Sequence, residues 1–295
     1  MKVAGVALTN ADRVLYPEQG ITKQRLAEYY EAIAPLMLPH VAGRPVVLVR
    51  CPQGHGKECF YQKHWSPGAP SALGSVSIRE AKGTVRPYSV VKDVGGLVSL
   101  VQHGVLEIHV WGSRADDIER PDRIVFDLDP GPGVGWRRVV AAARELRERL
   151  GGLGLETWLK TTGGKGLHVV IPMERRSTWD EVSGFARALA YGMARENPRR
   201  YIATASKAAR KGLIFLDWLR NTRGATAVAA WSTRAKPGAP ISVPVEWGEI
   251  DQLRSGDQYR VGNVLELISR RSKDPWAGLA RARQRLTRSM RESLV

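Results

Sequence analysis

The segment Arg123-Ile-Val-Phe-Asp-Leu-Asp-Pro130 combines an apolar run with two carboxylates. The run predicts a strand over residues 123–129, which ends at Pro130 and the glycines after it. Side chains two residues apart in a strand project to the same face, so we expect Asp127 and Asp129 to point together. Two carboxylates this close repel each other unless one is protonated or a cation lies between them, and a divalent ion held by oxygen atoms fits that role. The alternative is a strand that ends in a solvated acidic turn.

Strands and helices alternate on both sides of this segment, which predicts an α+β or mixed α/β fold with a mixed sheet. Further strands are expected at residues 45–50, 105–111, 155–160, 167–171 and 213–217. Helices are expected at 23–38, where Thr22 provides the N-cap, at 136–150 and at 179–195, with one or two short helices after residue 246. The Arg-rich tail from Arg281 to Arg291 is expected to be a solvated helix face. The sequence has neither an internal repeat nor a linker-like stretch, so we expect one domain over residues 1–295.

The chain carries a large excess of positive charge. Its 295 residues contain 45 Lys and Arg against 29 Asp and Glu, which gives a net charge of +16 at neutral pH. Such an excess suits a polyanionic partner, either nucleic acid or an acidic membrane surface, with a basic soluble enzyme as the alternative. No apolar run reaches the roughly 18 residues of a transmembrane helix, and the N-terminal apolar run is too short for a signal peptide.

The two cysteines, Cys51 and Cys59, are too few for a disulfide framework. We therefore expect both to be reduced, in the cytoplasm. The spacing Cys51-x3-His55-x3-Cys59-x4-His64 matches no common zinc module, which disfavours a structural zinc.

A third aspartate, Asp217, stands in the apolar segment 213–219, LIFLDWL. A single carboxylate in such a strand is expensive to bury unless it is paired, hydrogen-bonded or metal-bound. A salt bridge to Arg220 or Arg223 is one solution. The other is a cradle of three aspartates on neighbouring strands, which is the usual arrangement for holding two metal ions.

A glycine-rich segment, Lys160-Thr-Thr-Gly-Gly-Lys-Gly-Leu-His168, lies between two predicted strands. It lacks the spacing of a Walker A loop, but its glycines permit backbone N–H groups to converge on an anion. Thr162, Lys165 and His168 could add side-chain donors to phosphates. An ordinary glycine-rich hairpin with an exposed lysine is the alternative.

Two further features combine aromatic or imidazole rings with charge. His109 shares a strand face with Glu107 and Trp111, where it is either a satisfied core residue or part of a site. The segment 60–65, FYQKHW, offers rings that could stack on bases beside Lys63. A buried hairpin with a snorkelling lysine is the alternative for that segment.

Taken in order, five motifs resemble the polymerase domain of bacterial ligase D, a member of the archaeo-eukaryotic primase superfamily that serves non-homologous end joining. The motifs are EIHVWGS (107–113), VFDLDPG (125–131), KTTGGKGLHVV (160–170), IFLDWLRN (214–221) and WSTRAKPGAPISVPVEW (231–247). The resemblance extends from Leu8 to Trp276. It implies a primase-polymerase fold, in which helices flank a mixed central sheet that carries the catalytic aspartates. It also implies a DNA-end-binding part at about 1–110, a catalytic core at about 105–245 and a C-terminal helical part at about 246–295.

The resemblance implies a role for each residue that matches a family position. Metal-binding and catalytic positions are matched by Asp127, Asp129 and Asp217. Positions around the incoming nucleotide are matched by His109, Thr162, Lys165, His168, Arg220 and Arg234. The pocket for the 5′-phosphate of a downstream strand is matched by Asn10, Arg13 and Lys23, and the template-stacking region by Phe60, Tyr61 and Lys63. The family usually has serine at the position of Thr162, and some relatives have lysine at that of Arg13.

The activity implied by the resemblance is that of a nucleotidyltransferase of the polymerase and primase type. Two Mn²⁺ or Mg²⁺ ions would assist attack of a primer 3′-hydroxyl on the α-phosphorus of an NTP or dNTP. Ribonucleotide preference, gap filling at double-strand breaks, and partnership with a ligase domain and Ku are also implied, in a bacterial cytoplasm and at the nucleoid when bound to DNA. Two alternatives are a non-catalytic DNA-end-binding module and a metal-dependent phosphoesterase that uses the same aspartates.

Overall fold

The computed structural model describes residues 1–65 and 68–294, along which helices and strands alternate as predicted. The chain divides into two units, and each unit collects more than one stretch of sequence. The first unit comprises Met1–Asp116, Val228–Val243 and Tyr259–Ser272. The second unit comprises Asp117–Ala227, Pro244–Gln258 and Lys273–Val295.

The predicted helices at 23–38, 136–150 and 179–195 are confirmed, each with small differences at its ends. Within the described residues, the α-helices are α1 (Lys23–Val41), α2 (Val94–Gln102), α3 (Trp136–Gly152), α4 (Trp179–Glu196), α5 (Val264–Arg270) and α6 (Arg288–Glu292). Short 3₁₀ helices occur at Pro17–Gln19, Ala208–Arg210, Trp218–Asn221, Trp247–Gln252 and Leu279–Arg281. None of the helices in the described ranges combines the length and the apolar character that a membrane span requires.

The strands were predicted less completely than the helices. Across residues 1–65 and 68–294 they are β1 (Lys2–Val3), β2 (Val6–Ala7), β3 (Val14–Tyr16), β4 (Ile21–Thr22), β5 (Val46–Arg50), β6 (Phe60–Gln62), β7 (Gly74–Arg79), β8 (Val85–Val90), β9 (Val105–Trp111), β10 (Arg123–Pro130), β11 (Trp158–Thr161), β12 (Leu167–Pro172), β13 (Tyr201–Ile202), β14 (Ile214–Asp217), β15 (Thr226–Val228) and β16 (Pro244–Val245). The sequence did not reveal the β7–β8 hairpin, and β11 begins at Trp158 rather than at residue 155.

The second unit is built on a six-stranded sheet in the order β13-β14-β10-β12-β11-β16. Strand β10 is antiparallel to both of its neighbours, whereas β13 and β14 run parallel, so the sheet is mixed as predicted. Helices α3 and α4 contact this sheet through buried faces that include Leu146 and Phe185. Long apolar strands packed against amphipathic helices supply the hydrophobic core that fixes the sheet.

The side chain of Asn221 completes the hydrogen bonding of β10. Its Oδ1 accepts a bond from Val125 N at 2.7 Å, and its Nδ2 donates to Val125 O at 2.8 Å and to Trp218 O at 2.9 Å. Asn221 is 1% exposed, so water cannot replace these bonds. The amide therefore continues the pairing of β10 beyond the end of β14 and ties the 3₁₀ helix at 218–221 to the strand.

The first unit contains antiparallel strands in the order β9-β5-β6, and α1 packs against α2. Thr22 caps α1 by accepting a bond from Arg25 N, as the sequence predicted. Two tyrosines of α1 hold the segment after β15: Tyr29 donates to Trp231 O at 2.7 Å, and the Tyr30 hydroxyl lies 3.0 Å from Thr233 Oγ1.

Cys51 and Cys59 form a disulfide, so the expectation that both are reduced thiols is wrong for this structure. The cause lies in the strand register, because Arg50 of β5 is the partner of Phe60 of β6. The residues just beyond this pair are Cys51 and Cys59, whose Cα atoms lie 4.3 Å apart. A turn between them makes that approach possible, with Gly54 N bonded to Cys51 O and Gly54 at a φ of +94°.

The side chain of His55 is also engaged away from any metal. Its Nε2 lies 2.7 Å from Glu18 Oε2, and its ring stacks on Tyr16. With both sulfur atoms in a disulfide, the pattern of cysteines and histidines around residue 55 has a structural role.

The Arg-rich tail is not one helix, which corrects the prediction for Arg281–Arg291. Residues 282–287 lie between the last 3₁₀ helix and α6 and are not helical. Gln284 explains this difference, because its Nε2 donates to Pro172 O and Glu156 O, both at 3.0 Å, and its own carbonyl accepts from Glu174 N. These bonds fasten the segment to the end of β12.

We predict that Asn221→Ala lowers the free energy of unfolding by about 3 kcal/mol, because two buried backbone groups of Val125 lose their partners. Urea denaturation provides the measurement. Asn197→Ala, at the partly exposed C-cap of α4, is the matched control and should cost less than about 1 kcal/mol. Equal losses in the two variants would contradict the role given to Asn221.

Candidate active site

Four of the predicted residues meet at one end of the second unit's sheet because of strand register. Asp127 of β10 is the direct partner of Asp217 on β14 and of His168 on β12. Asp129 follows two residues later on β10, so its side chain projects to the same face. His168 Nε2 lies 3.4 Å from Asp127 Oδ1. The three aspartates therefore lie on neighbouring strands, as the cradle hypothesis requires.

Two arginines contact the aspartates. Arg220 bridges two of them, with Nε 3.3 Å from Asp127 Oδ2 and Nη2 3.0 Å from Asp217 Oδ2. Arg210 donates from Nη1 to Asp129 Oδ2 at 2.7 Å, and its guanidinium lies 3.9 Å from the centre of the Phe215 ring. The salt bridge to Arg220 that the sequence offered for Asp217 is present.

Positive charge is distributed unevenly over the aspartates. Burial raises the pKa of Asp217 to about 6, against the opposing effect of Arg220. The carboxylate of Asp127, which lies opposite, adds to the rise. Burial and Asp127 also raise the pKa of Asp129. Burial opposes the ionisation of Asp127 as well, but His168, Arg220 and Lys160 hold its pKa well below the usual range. The cluster therefore carries less positive charge than three carboxylates need.

This deficit bears on the fit of a metal ion. Carboxylate oxygens are the ligands that Mg²⁺ and Mn²⁺ prefer, and a cation beside Asp129 and Asp217 would favour their ionised forms. Within residues 1–65 and 68–294, no group of three or more His, Cys, Asp or Glu side chains is arranged so that it could hold a metal ion as it stands. Instead, Arg210 and Arg220 lie on carboxylate oxygens. The donor set fits a divalent metal in chemistry.

His168 carries a polar atom without a partner in the described structure. The residue is 2% exposed, and its Nδ1 makes no hydrogen bond within the described residues. Burial and the charge of Lys160 lower its pKa to about 4, so the imidazole is neutral at pH 7. A buried ring nitrogen of this kind is a candidate contact for a ligand.

The glycine-rich turn between β11 and β12 is organised by Thr162. Its Oγ1 accepts bonds from Gly164 N at 3.1 Å and Gly166 N at 3.3 Å, and donates to Gly166 O at 3.0 Å. The hydroxyl and these two N–H groups therefore bond to each other inside the turn. The sequence hypothesis had them donating to an anion instead. Lys165 is exposed at the tip of the turn.

The turn is packed so closely that Gly166 within it and Gly256, which contacts it, admit only glycine. A Cβ atom on Gly166 would lie 2.1 Å from Leu128 O, and one on Gly256 would lie 2.5 Å from Gly166 O. Gly163 adopts a φ of +62°. The turn is thus pressed against the strand that carries Asp127 and Asp129, which fixes Lys165 and His168 relative to the aspartates.

In the first unit, His109 and Arg234 meet at one carboxylate. His109 Nε2 lies 2.8 Å from Glu107 Oε2, and Arg234 Nε lies 3.0 Å from the same oxygen. Burial raises the pKa of Glu107, but His109, Arg234 and the N–H of Ala235 outweigh burial and bring it to about 2. Glu107 is therefore ionised at neutral pH.

The residues matched to a 5′-phosphate pocket lie together where α1 begins. Asn10 and Arg13 occupy one turn, and Lys23 N donates to Arg13 O. Arg13 Nη1 donates to Pro52 O at 3.0 Å, and Lys23 Nζ donates to Thr9 O at 2.8 Å. Burial, with a smaller effect of Arg13, lowers the pKa of Lys23. An anion beside these side chains would reverse that effect.

Phe60 and Tyr61 present exposed rings on β6, with 42% and 70% of their surface accessible. They border a cavity of about 700 Å³ that also contains Lys63 and Trp65. Arg50 lies between two of the rings, 5.5 Å from the centre of Phe60 and 4.8 Å from that of Trp65. Phe60 and Tyr61 therefore do not belong to a buried hairpin.

Sequence reasoning missed two residues that contact predicted site residues, Arg210 and Glu107. Arg210 is distant along the chain from Asp129, and nothing in its local pattern indicates the contact. Glu107 had a signal, since it alternates with His109 on a strand of otherwise apolar residues. A charged residue in such a strand needs a partner.

Comparisons with known proteins were made for the whole chain. Residues 22–276 match the family model described as "LigD, primase-polymerase domain". The LigD protein of Pseudomonas aeruginosa, a "multifunctional non-homologous end joining protein", is 40% identical over 293 residues, 99% of this chain and 35% of that protein. The LigD protein of Mycolicibacterium smegmatis is 39% identical over 247 residues, 83% of this chain and 32% of that protein. The chain thus spans about a third of the length of these relatives.

A solved structure has the same fold. It is described as the polymerase domain of Mycobacterium tuberculosis ligase D in complex with DNA, and its TM-score is 0.86 at 32% identity. The match covers 93% of this chain and 97% of that one. The family resemblance and the mixed fold predicted from the motifs are confirmed.

We predict that Gly166→Ala lowers the free energy of unfolding by about 2 kcal/mol or more, because its Cβ atom would overlap a backbone oxygen. Gly152→Ala is the control, since a Cβ there meets nothing within 4 Å. That change, in the last turn of α3, should leave stability equal or slightly raised. Urea denaturation of both variants is the measurement, and a fully stable Gly166→Ala would refute the close packing of the turn.

Proposed function

This chain belongs to the LigD primase-polymerase domain family, and we propose that it is a template-dependent nucleotidyltransferase that fills gaps and extends ends at DNA double-strand breaks. The observation that carries the proposal is the register that sets Asp127 opposite Asp217 and His168. The relatives are named for non-homologous end joining, and the solved neighbour is described in complex with DNA. A net charge of +16 is compatible with a nucleic-acid partner.

We infer that Asp127, Asp129 and Asp217 hold two divalent ions, Mn²⁺ or Mg²⁺. When bound, such ions acidify a primer 3′-hydroxyl and neutralise charge on the triphosphate and on departing pyrophosphate. Arg220 keeps Asp127 and Asp217 oriented towards each other, because it contacts both. Arg210 supplies compensating charge to Asp129.

The nucleotide is proposed to lie along the glycine-rich turn. Lys165 is the exposed cation there and would meet the triphosphate, while His168 offers its buried Nδ1. Thr162 acts indirectly, because its hydroxyl holds the turn in shape. His109 and Arg234 complete the proposed nucleotide-binding set. A preference for ribonucleotides over deoxynucleotides is proposed from family resemblance alone.

The proposed DNA substrate is a gap or an end with a downstream 5′-phosphate. That phosphate would be bound by Asn10, Arg13 and Lys23. The lowered pKa of Lys23 supports the assignment, because burial disfavours the charged ammonium group and a bound phosphate would stabilise it. Phe60 and Tyr61 would stack on template bases, with Lys63 near the backbone. A ligase domain and Ku are the proposed protein partners.

Asp127→Asn should lower primer extension about 1,000-fold or more, because a ligand and a negative charge are lost where positive charge must be held. Affinity for gapped DNA should change little. The assay is extension of a gapped, 5′-phosphorylated substrate with NTPs or dNTPs, in Mn²⁺ and in Mg²⁺. Asp251→Asn is the matched control, since Asp251 is exposed and pairs with Arg144.

Full extension by Asp127→Asn would contradict the proposed role of the aspartates. Absence of extension by the parent chain in either metal would favour a DNA-end-binding module. Strand shortening in the same assay would favour a phosphoesterase.

The 5′-phosphate pocket can be tested by binding alone. Gapped DNA with a 5′-phosphate should bind about tenfold tighter than its 5′-hydroxyl counterpart, since a bond to a charged group contributes about 1.5–3 kcal/mol. Lys23→Ala should erase most of the difference, whereas Lys2→Ala, which removes the same charge from an exposed position on β1, should preserve it. Fluorescence anisotropy is suitable, and equal affinities of the parent chain for both DNAs would refute the pocket.

A further inference from the structure

Glu107 is a buried carboxylate on which three groups converge. Its Oε2 lies 2.8 Å from His109 Nε2 and, as an ion pair, 3.0 Å from Arg234 Nε, and its Oε1 accepts a bond from Ala235 N at 2.8 Å. The side chain of Glu107 is 6% exposed, against 11% for His109 and 17% for Arg234. The carboxylate is therefore the most deeply buried member of the cluster, and its two partners are the more accessible ones.

The main chain of Arg234 is held separately from its side chain. Tyr16 donates from its hydroxyl to Arg234 O at 2.9 Å. The neighbouring Thr233 donates to Leu106 O at 2.6 Å and contacts Tyr30. Apart from the bond of Ala235 N to Glu107, this segment is thus held by bonds that do not involve that carboxylate. Glu107 adds a contact to the guanidinium of Arg234.

Stability alone does not account for a charged group at this position. A buried ion pair is frequently no more stabilising than apolar side chains of the same volume, because both charges must leave water. Glu107 lies in a strand whose other buried members include Leu106 and Ile108. An apolar residue at 107 would fit such a strand, so a charge there calls for a task that only a charge performs.

We propose that Glu107 is a positioning residue that fixes His109 and Arg234 together as one element for the incoming nucleotide. This inference rests on the proposed function, in which both partners contact the nucleotide. An acceptor at His109 Nε2 favours the tautomer with the proton on that nitrogen and sets the plane of the ring. The charge of Glu107 attracts the guanidinium of Arg234, whose Nε lies 3.0 Å from Oε2. Both side chains thus share one carboxylate.

The test is Glu107→Gln, which keeps the shape of the side chain and removes its charge. We expect KM for the nucleotide to rise about tenfold while kcat changes less than about threefold, because pre-oriented binding groups are lost and the metal-binding aspartates are untouched. Glu119→Gln is the matched control, since Glu119 also pairs with an arginine, Arg223, on the surface of the second unit. The control should leave both constants unchanged.

A double-mutant cycle separates positioning from general damage. If Glu107 acts through Arg234, then KM of Glu107→Gln/Arg234→Ala should lie within about twofold of that of Arg234→Ala, since coupled residues are not additive. Multiplication of the two single effects would overturn the proposal. An unchanged KM in folded Glu107→Gln would overturn it as well. If Glu107→Gln melts below the assay temperature, the His109→Ala/Arg234→Ala cycle replaces it. The effects of these two changes on KM should then be non-additive, and additive effects would overturn the proposal.

Nitrogen NMR of His109 gives a readout that does not require catalysis. The parent chain should have the proton on Nε2, and Glu107→Gln should redistribute it between the ring nitrogens. An identical tautomer in both proteins would overturn the proposal. If the parent chain extends no primer, the proposed function fails, whereas the tautomer and the affinity for a non-hydrolysable NTP, measured by calorimetry, still test Glu107.

Discussion

Repulsion among carboxylates at one end of a sheet is the constraint on which the second unit's site depends. Antiparallel register sets Asp127 directly opposite Asp217, and strand periodicity adds Asp129 on the same face. Such a cluster persists only if cations accompany it. Arg220 and Arg210 supply part of that charge, and Asn221 holds the strand end in register by completing its hydrogen bonds. In this unit, the strand pairing that forms the fold also determines which charges must be compensated.

The first unit contains a buried carboxylate in the opposite situation, with several donors around one anion. There one carboxylate, Glu107, is surrounded by an imidazole, a guanidinium and a backbone N–H, so that donor groups outnumber the carboxylate. A lone anion among donors stays ionised, whereas clustered anions with too few donors take up protons, as the pKa of Asp217 near 6 indicates. The aspartate cluster can thus accept a further cation, whereas the donors around Glu107 can accept an anion.

Local pattern predicted the features that depend on neighbours in sequence. The strands around Asp127 and His168 and the capped helix after Thr22 follow from periodicity, and the order of motifs gave the family. Features that depend on register between distant segments and that no motif indicates were missed. The disulfide of Cys51 and Cys59 is the clearest example, since it follows from the pairing of β5 with β6 and from no cysteine count. Arg210 was missed for the same reason.

The interleaving of the two units along the chain has a consequence for synthesis. The first unit needs Val228–Val243 and Tyr259–Ser272 in addition to its N-terminal segment. When the ribosome has made Asp116, the tyrosines of α1 and the carboxylate of Glu107 are present, but the segment they hold has not yet been translated. Domains usually fold in the order in which they emerge. Within this chain, Met1–Asp116 is made more than a hundred and fifty residues before Tyr259–Ser272 is complete, so the apolar surface of its unit stays incomplete over that interval.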